Sequence, residues 1–394
     1  MIWLILGATL PAMLISWAAA YLVRRFAPRW RLVDRPGERK VHTRAMPTGG
    51  GLAIWLGILA PFALGQLLLW FPQLLPGIAL FDATAGADAH LPKGDLLDIV
   101  RPHLDGLLEQ SGRLWILLAG GTVLMVLGLV DDVRGLGWKI RLGVQTVVAT
   151  VLVLLGWRIS LFIETPWITG PLSVLWIVGL VNSFNMLDNM DGLSAGVAAT
   201  SAAMLAAVML LAGDPATHQP QLFVGGFLLV IVGALVGFLW HNRPPAKLFM
   251  GDAGSYLIGY LLAMATLTAT FAGEDVPVHA VLAPLCVLAV PLYDTVTVIW
   301  IRLRAGRSPF VGDKSHFSHR LVELGMSKTQ AVLTIYLTTA TCGLGALLLH
   351  QVDASGALVI LLLVGCVLVL VGILETAGRN GRSGRTREDR DGQT

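Results

Sequence analysis

Charge is what this chain has least of. Asp, Glu, Lys and Arg make up 13% of its 394 residues, about half the share in an ordinary soluble domain. With 55% hydrophobic residues and a mean hydropathy of +0.72, that scarcity excludes a soluble globular protein. Cysteine is nearly missing as well. Cys286, Cys342 and Cys366 each lie inside an apolar run, with no CxxC spacing. This excludes a disulfide framework and a cysteine zinc site, and leaves three small core residues. No internal repeat is evident, which weighs against a transporter built from inverted halves. No nucleic-acid partner is expected.

Apolar runs near the length of a bilayer crossing recur along the whole chain. They predict an all-α polytopic membrane protein with eleven transmembrane helices, at roughly 2–23, 49–72, 113–130, 139–157, 170–186, 193–212, 222–240, 254–273, 279–301, 329–350 and 355–375. Ala18-Ala19-Ala20 could mimic a signal-peptide cleavage site. The first run has no basic residues before it, however, and Arg24-Arg25 follow it directly, so it reads as an uncleaved span with its amino end outside. An odd number of spans then puts the carboxyl terminus in the cytoplasm. In that orientation 24 of the 28 Lys and Arg residues fall inside, and Lys93, Arg101, Arg113 and Arg158 fall outside, as the positive-inside rule requires. The expected organisation is a membrane domain over 1–376, interrupted by an acidic outside loop at 73–112, followed by a disordered basic tail at 377–394. The loop carries Asp82, Asp88, Asp95, Asp98, Asp105 and Glu109, and its loosely helical apolar period fits a segment lying on the outer leaflet.

In this topology the polar clusters fall on the cytoplasmic side, in five loops. The third carries Asn182-Ser183-Phe184-Asn185-Met186-Leu187-Asp188-Asn189-Met190-Asp191-Gly192 between two apolar runs. Asn185, Asp188 and Asp191 are spaced by three, so a continuing helical turn would align their oxygens as a cradle for a hard cation and its phosphates. Interfacial helix caps would account for the same residues equally well. The second loop opens on Asp131-Asp132, with Arg134, Lys139 and Arg141 close behind. Adjacent carboxylates repel, so one can titrate high and serve as a base while the other meets a metal or cation. The alternative is a pair of acids neutralised at a span end.

The first loop runs from Asp34-Arg35-Pro36 through Arg39-Lys40-Val41-His42 to Gly49-Gly50-Gly51. Most of its cations read as positive-inside anchors, and Lys40 and His42 are the candidates for binding an anion. In the fourth, His241-Asn242 through Leu248-Phe249-Met250-Gly251-Asp252-Ala253-Gly254-Ser255, an acid between glycines at a helix start leaves room for a metal-bound phosphate. Phe249 could stack on a base or pack as an ordinary aromatic. The fifth ends in Gly312-Asp313-Lys314-Ser315-His316-Phe317-Ser318-His319-Arg320, where His316, His319 and Arg320 are donors for phosphate oxygens. Asp294, alone inside the ninth span, reads equally as a functional acid, a packing partner or an arginine pair.

The five loops in this order, from Asp34 to Arg320, resemble the polyprenyl-phosphate N-acetylhexosamine-1-phosphate transferases, and in the Asn-Phe-Asn-Met-Leu-Asp and His-Phe-Ser-His-Arg forms the branch that transfers GlcNAc-1-phosphate to undecaprenyl phosphate. The resemblance implies that a UDP-N-acetylhexosamine and a polyprenyl phosphate react at the cytoplasmic face of the cell membrane, releasing UMP, with Mg²⁺ or Mn²⁺. It implies magnesium at Asn185 and Asp252, activation of the lipid phosphate by Asp131 and Asp132, and nucleoside contacts from Phe249 and Asp191. His316, His319 and Arg320 would hold the diphosphate and sugar, with Arg141 near the phosphates. Asp188, Lys40 and His42 complete the expected substrate-binding set, and a homodimer is compatible with it. The related enzyme that forms lipid I is the nearest alternative. Two positions depart from the pattern: Ser318 stands where a middle histidine is usual, and Asn189 where the turn between the acids usually has glycine. An intramembrane aspartyl protease is disfavoured, because Phe249 occupies the place of a glycine its signature needs.

Overall fold

The computed structural model describes residues 1–34, 45–70, 104–159, 165–212, 219–269, 271 and 278–391. Lys40, His42 and most of the acidic loop lie outside them. A helical bundle accounts for nearly all of the described backbone: α1 (Ile2–Phe26), α2 (Gly50–Trp70), α3 (Leu104–Arg134), α4 (Trp138–Leu154), α5 (Pro166–Leu187), α6 (Leu193–Leu211), α7 (Leu222–Asn242), α8 (Gly251–Thr268), the short α9 (Ala283–Val287), α10 (Ala289–Arg304), α11 (Phe317–Glu323), α12 (Lys328–Leu348) and α13 (Ala354–Asp391). A two-residue antiparallel ladder pairs β1 (Val33–Asp34) with β2 (Met46–Pro47).

Every one of the eleven expected apolar stretches is helical. Among the described residues, eight helices are long and apolar enough to cross a bilayer by themselves. A pair bent by 68°, Val278–Val287 with α10, makes a ninth. The remaining two stretches, α4 and α8, fall outside that set. For α4 the reason is length, 17 residues. For α8 it is composition, and the fold explains it: every residue from Ala253 to Thr266 is buried. A helix walled in by protein can carry Ser255, Tyr256 and Tyr260, because its neighbours satisfy what lipid could not. Tyr260 donates to the Leu117 carbonyl at 2.9 Å, and Trp176 on α5 reaches Thr266 at 2.9 Å.

Glycine allows α8 its close neighbours. A Cβ on Gly128 of α3 would lie 2.4 Å from the backbone of Asp252 and Ala253, and one on Gly51 of α2 would lie 2.3 Å from the Gly254 nitrogen. On the far side, Gly259 sits against the backbone of Leu180 and Val181 in α5. Backbone against backbone leaves no flexible atom to yield. At the other end of the chain, α13 runs from Ala354 to Asp391.

These contacts generate a test. Gly128→Val should push the start of α8 away from α3, lowering the melting temperature of detergent-purified protein and eliminating activity, at a cost of at least about 1–3 kcal/mol. Gly143→Val, where a Cβ meets nothing within 4 Å, is the control. Equal melting temperatures for the two variants would disprove the close-packing account.

Candidate active site

The amino ends of α2, α6, α8 and α12 and the carboxyl ends of α3, α5 and α7 meet around one cavity of about 630 Å³. Backbone hydrogen bonds stitch its floor. Phe249 N–H donates to the Pro47 carbonyl at 2.9 Å, and the Gly50 and Gly51 amides donate to the carbonyls of Phe249 and Met250 at 2.9 and 3.0 Å. The first and fourth loops are therefore one structure. The turn after α5 is fixed from the side: Asn242 accepts from the Gly192 amide at 3.0 Å and donates to the Leu248 carbonyl at 2.9 Å. Gly192 holds a left-handed φ of 77°, which a β-carbon would strain.

Acids dominate the lining: Asp34, Asp132, Asp188, Asp191, Asp252 and Asp313, faced by Lys314, Lys328 and His319. Asp132 accepts from the Asp252 and Ala253 amides at 2.9 and 3.3 Å and so caps α8. Asp252 Oδ1 accepts from the Asn185 amide, whose Nδ2 also reaches Ser255 at 3.1 Å. Burial pushes Asp188 up to about 8, with repulsion from Asp252 and Asp191 adding to it. Asp191 takes the Ala246 amide at 2.9 Å. Burial lowers His319 to about 4, assisted by the nearby Lys314 ammonium, so this imidazole is neutral at neutral pH.

The paired acids separate. Asp132 lines the cavity, whereas Asp131 is 5% exposed, absent from the lining and in contact with Asp252 from behind. Its Oδ1 accepts from the Leu136 amide at 2.6 Å, and its Oδ2 takes Arg141 at 3.1 Å and Tyr256 at 2.9 Å. Arg141 is thereby spent on Asp131 and is also absent from the lining. Adjacent residues on a helix diverge by about 100°, so only one of two can look inward.

The fifth loop divides in the same way. His319 reaches the cavity, while His316 and Arg320 stand behind it. Asp294 and Arg302 lie on one face of α10, and both are buried. Asp294 receives His316 Nδ1 at 2.9 Å and the Phe317 amide at 2.6 Å. Arg302 bonds Asp313 at 3.1 Å, the Pro309 carbonyl at 2.7 Å and His316 Nε2 at 3.5 Å. A guanidinium only donates, which makes Nε2 the acceptor and leaves Nδ1–H for Asp294. Arg320 pairs with Glu375 of α13 at 3.3 Å and donates to Thr297 at 3.0 Å.

Of the residues expected from sequence, the cavity brings together Asp132, Asn185, Asp188, Asp191, Phe249, Asp252 and His319. Asp131, Arg141, His316 and Arg320 sit behind it, each engaged with protein, and Lys40 and His42 are outside the described residues. Sequence reasoning placed Thr48, Asn242 and Ser255 in these loops without giving them a role, and missed Lys328 in the wall and Tyr256 and Glu375 behind it. A lone polar side chain at a helix end carries no signal of what it meets.

Among the described residues, no three His, Cys, Asp or Glu side chains form a ready-made metal site. Magnesium does not require one, since it takes one or two protein oxygens and fills the rest with phosphate and water. Around Asp252 the donors are the right kind: a Cβ on Gly251 would collide with Asp132 Oδ2 at 2.4 Å and Thr48 Oγ1 at 2.6 Å, so a glycine keeps an oxygen-lined cradle open. Crowded carboxylates and an adjacent amide suit a hard cation.

Fold and cavity together define an integral membrane protein that gathers anionic and cationic groups at one end of its bundle, as an enzyme handling phosphorylated ligands would. Residues 114–270 match the model of glycosyl transferase family 4. The chain is 33% identical over 363 residues to the decaprenyl-phosphate N-acetylglucosaminephosphotransferase of Mycolicibacterium smegmatis, covering 86% of this chain and 80% of that one. It is 34% identical over 364 residues to the like-named protein of Mycobacterium tuberculosis, with coverage of 86% and 80%. The undecaprenyl-phosphate alpha-N-acetylglucosaminyl 1-phosphate transferase of Escherichia coli K12 is 29% identical over 333 residues, covering 81% and 77%. The chain belongs to glycosyl transferase family 4 and is a membrane transferase.

The separation of the two adjacent acids makes a prediction. Asp132→Asn should remove activity with little loss of melting temperature, because it relieves repulsion as it removes a cap. Asp131→Asn should lower the melting temperature, by about 1–3 kcal/mol of lost charged hydrogen bonding, and depress activity only in proportion to the folded fraction. Matching losses of activity per folded molecule in both variants would count against this division.

Proposed function

We propose that this chain transfers N-acetylglucosamine 1-phosphate from a UDP-sugar to undecaprenyl phosphate or a similar polyprenyl phosphate, releasing UMP and starting a surface polymer. The observation that carries this reading is the meeting of all five loops at one cavity at the end of the bundle. A lipid phosphate can reach such a place from the headgroup layer while a soluble nucleotide sugar enters from water.

Phosphoryl transfer asks a protein for position and charge balance more than for covalent chemistry. Asp252 and Asn185 are suited to hold Mg²⁺, or Mn²⁺ in its place, once the Asn185 amide turns its oxygen inward. That cation would neutralise the diphosphate oxygens. Lys314 and Lys328 add positive charge on the opposite wall, and neutral His319 offers a ring N–H to a phosphate or sugar oxygen. Phe249 provides an apolar face against which a uracil ring can lie. Asp132 keeps its carboxylate at the α8 amino end, beside the metal position, where it can orient or deprotonate the incoming lipid phosphate. A transporter would place its coupling acids at mid-bundle on broken helices, and here they lie at helix ends.

Eleven crossings, with the amino terminus outside and the carboxyl terminus in the cytoplasm, put this cavity on the cytoplasmic side of the cell membrane. Cysteines introduced at Asp88 and Ser308 should then react with impermeant maleimide from opposite sides of sealed vesicles. Labelling from the same side would refute the topology.

Purified protein should release UMP from UDP-GlcNAc only when polyprenyl phosphate and a divalent cation are both present. Asp252→Ala should reduce that release by at least ~10²–10³-fold, the scale of losing a preorganised charge at a reacting centre. No UMP from any UDP-sugar would defeat the functional reading, and full activity of Asp252→Ala at ordinary Mg²⁺ would defeat the metal position.

A further inference from the structure

The two positions at which this chain departs from the pattern it resembles are in contact. Ser318 Oγ donates a hydrogen bond to Asn189 Oδ1 across 129 positions of sequence. Neither side chain is loose. Ser318 is 1% exposed, and the other end of Asn189 is fixed by its Nδ2 donating to the Met186 carbonyl at 2.9 Å. Asn189 itself lines the cavity between Asp188 and Asp191, and Ser318, behind the wall, immediately precedes His319.

The turn from Asp188 to Gly192 is not helical, so its shape depends on what holds it. Gly192 is gripped by Asn242 and by the Tyr336 hydroxyl, and Asp191 by the Ala246 amide. These bonds run to α7, α12 and the fourth loop. The bond from Ser318 ties the same turn to the fifth loop, whose α11 is itself clamped to α10 through Asp294. Size matters as much as bonding. A buried serine leaves room for the asparagine amide, whereas an imidazole at 318 would need the volume that amide fills, and glycine at 189 would vacate it.

We infer that Asn189 and Ser318 are a matched positioning pair that sets the gap between the acidic turn and the His319 wall, and with it the grip on the nucleotide-sugar donor. The inference rests on the functional reading above for the identity of that donor, and on the contact alone for the pairing.

The test is a mutant cycle on the full-length protein in nanodiscs: Asn189→Ala, Ser318→Ala, both together, Ser318→His, and Asn189→Gly with Ser318→His. Each single alanine should raise the KM for UDP-GlcNAc by about three- to tenfold, the scale of one net hydrogen bond. The KM for polyprenyl phosphate and kcat should stay within about twofold, and the double alanine variant should be no worse than either single. Ser318→His alone should be more damaging, and adding Asn189→Gly should recover most of the loss. Multiplicative alanine effects, equal rises in both KM values, a fall in kcat with KM unmoved, or no rescue by Asn189→Gly would each overturn the pair. If the wild-type protein releases no UMP, the functional reading fails instead. Melting temperatures across the same cycle then decide: non-additive shifts support the pairing and additive shifts overturn it.

Discussion

Like charges held together away from water are the constraint on which this structure turns. Asp132, Asp188 and Asp252 share one partly closed cavity, and buried carboxylates at such spacing cannot all ionise without help. The fold supplies that help in three different ways. Asp132 is given the amide groups at the start of α8, Asp252 is given the Asn185 amide, and Asp188 is pushed up to about 8 by burial, which favours its neutral form. What remains is a deficit of positive charge, which, under the function proposed above, a cation carrying phosphates would correct. The site is preorganised for charge that arrives with the substrate.

Behind the cavity stands a set of residues whose work is to hold others still. Tyr256 and Arg141 fix Asp131, Asp294 and Arg302 fix His316, and Glu375 reaches from the last helix to fix Arg320. Each is buried or half-buried and pairs with an opposite charge or a hydrogen-bond partner, as a low-dielectric interior demands. The loop that brings His319 to the cavity is thus short, polar and held from behind by α10 and α13.

The sequence announces the bundle clearly, because an apolar run of bilayer length has few other uses, and all eleven stretches are helical. Of the residues it singles out for the site, some line the common cavity and others stand behind it. Spacing by three correctly flagged Asn185, Asp188 and Asp191 as neighbours, but their alignment on one helical face gives way at Asp188, where α5 ends and a turn begins. Asp131 and Asp132 look alike on paper, and only the direction of α3 tells them apart. His316 and His319 are likewise equivalent as letters, yet one is a strut and the other lines the wall. Asp294, ambiguous as a lone acid in a span, becomes intelligible only when α10 is seen to carry it beneath the fifth loop. Tyr256 and Glu375 had no local signature at all, since their meaning lies in contacts made across more than 50 residues.

Enclosure of α8 has a further consequence for how the protein is made. A segment with two tyrosines, a serine and an aspartate gains little from lipid, so it has scant reason to leave the translocation channel alone. The three helices that receive it through glycine contacts, α2, α3 and α5, all precede it in the chain. By the time α8 emerges from the ribosome its berth has been synthesised, and vectorial synthesis hands the least lipophilic helix to a waiting protein solvent.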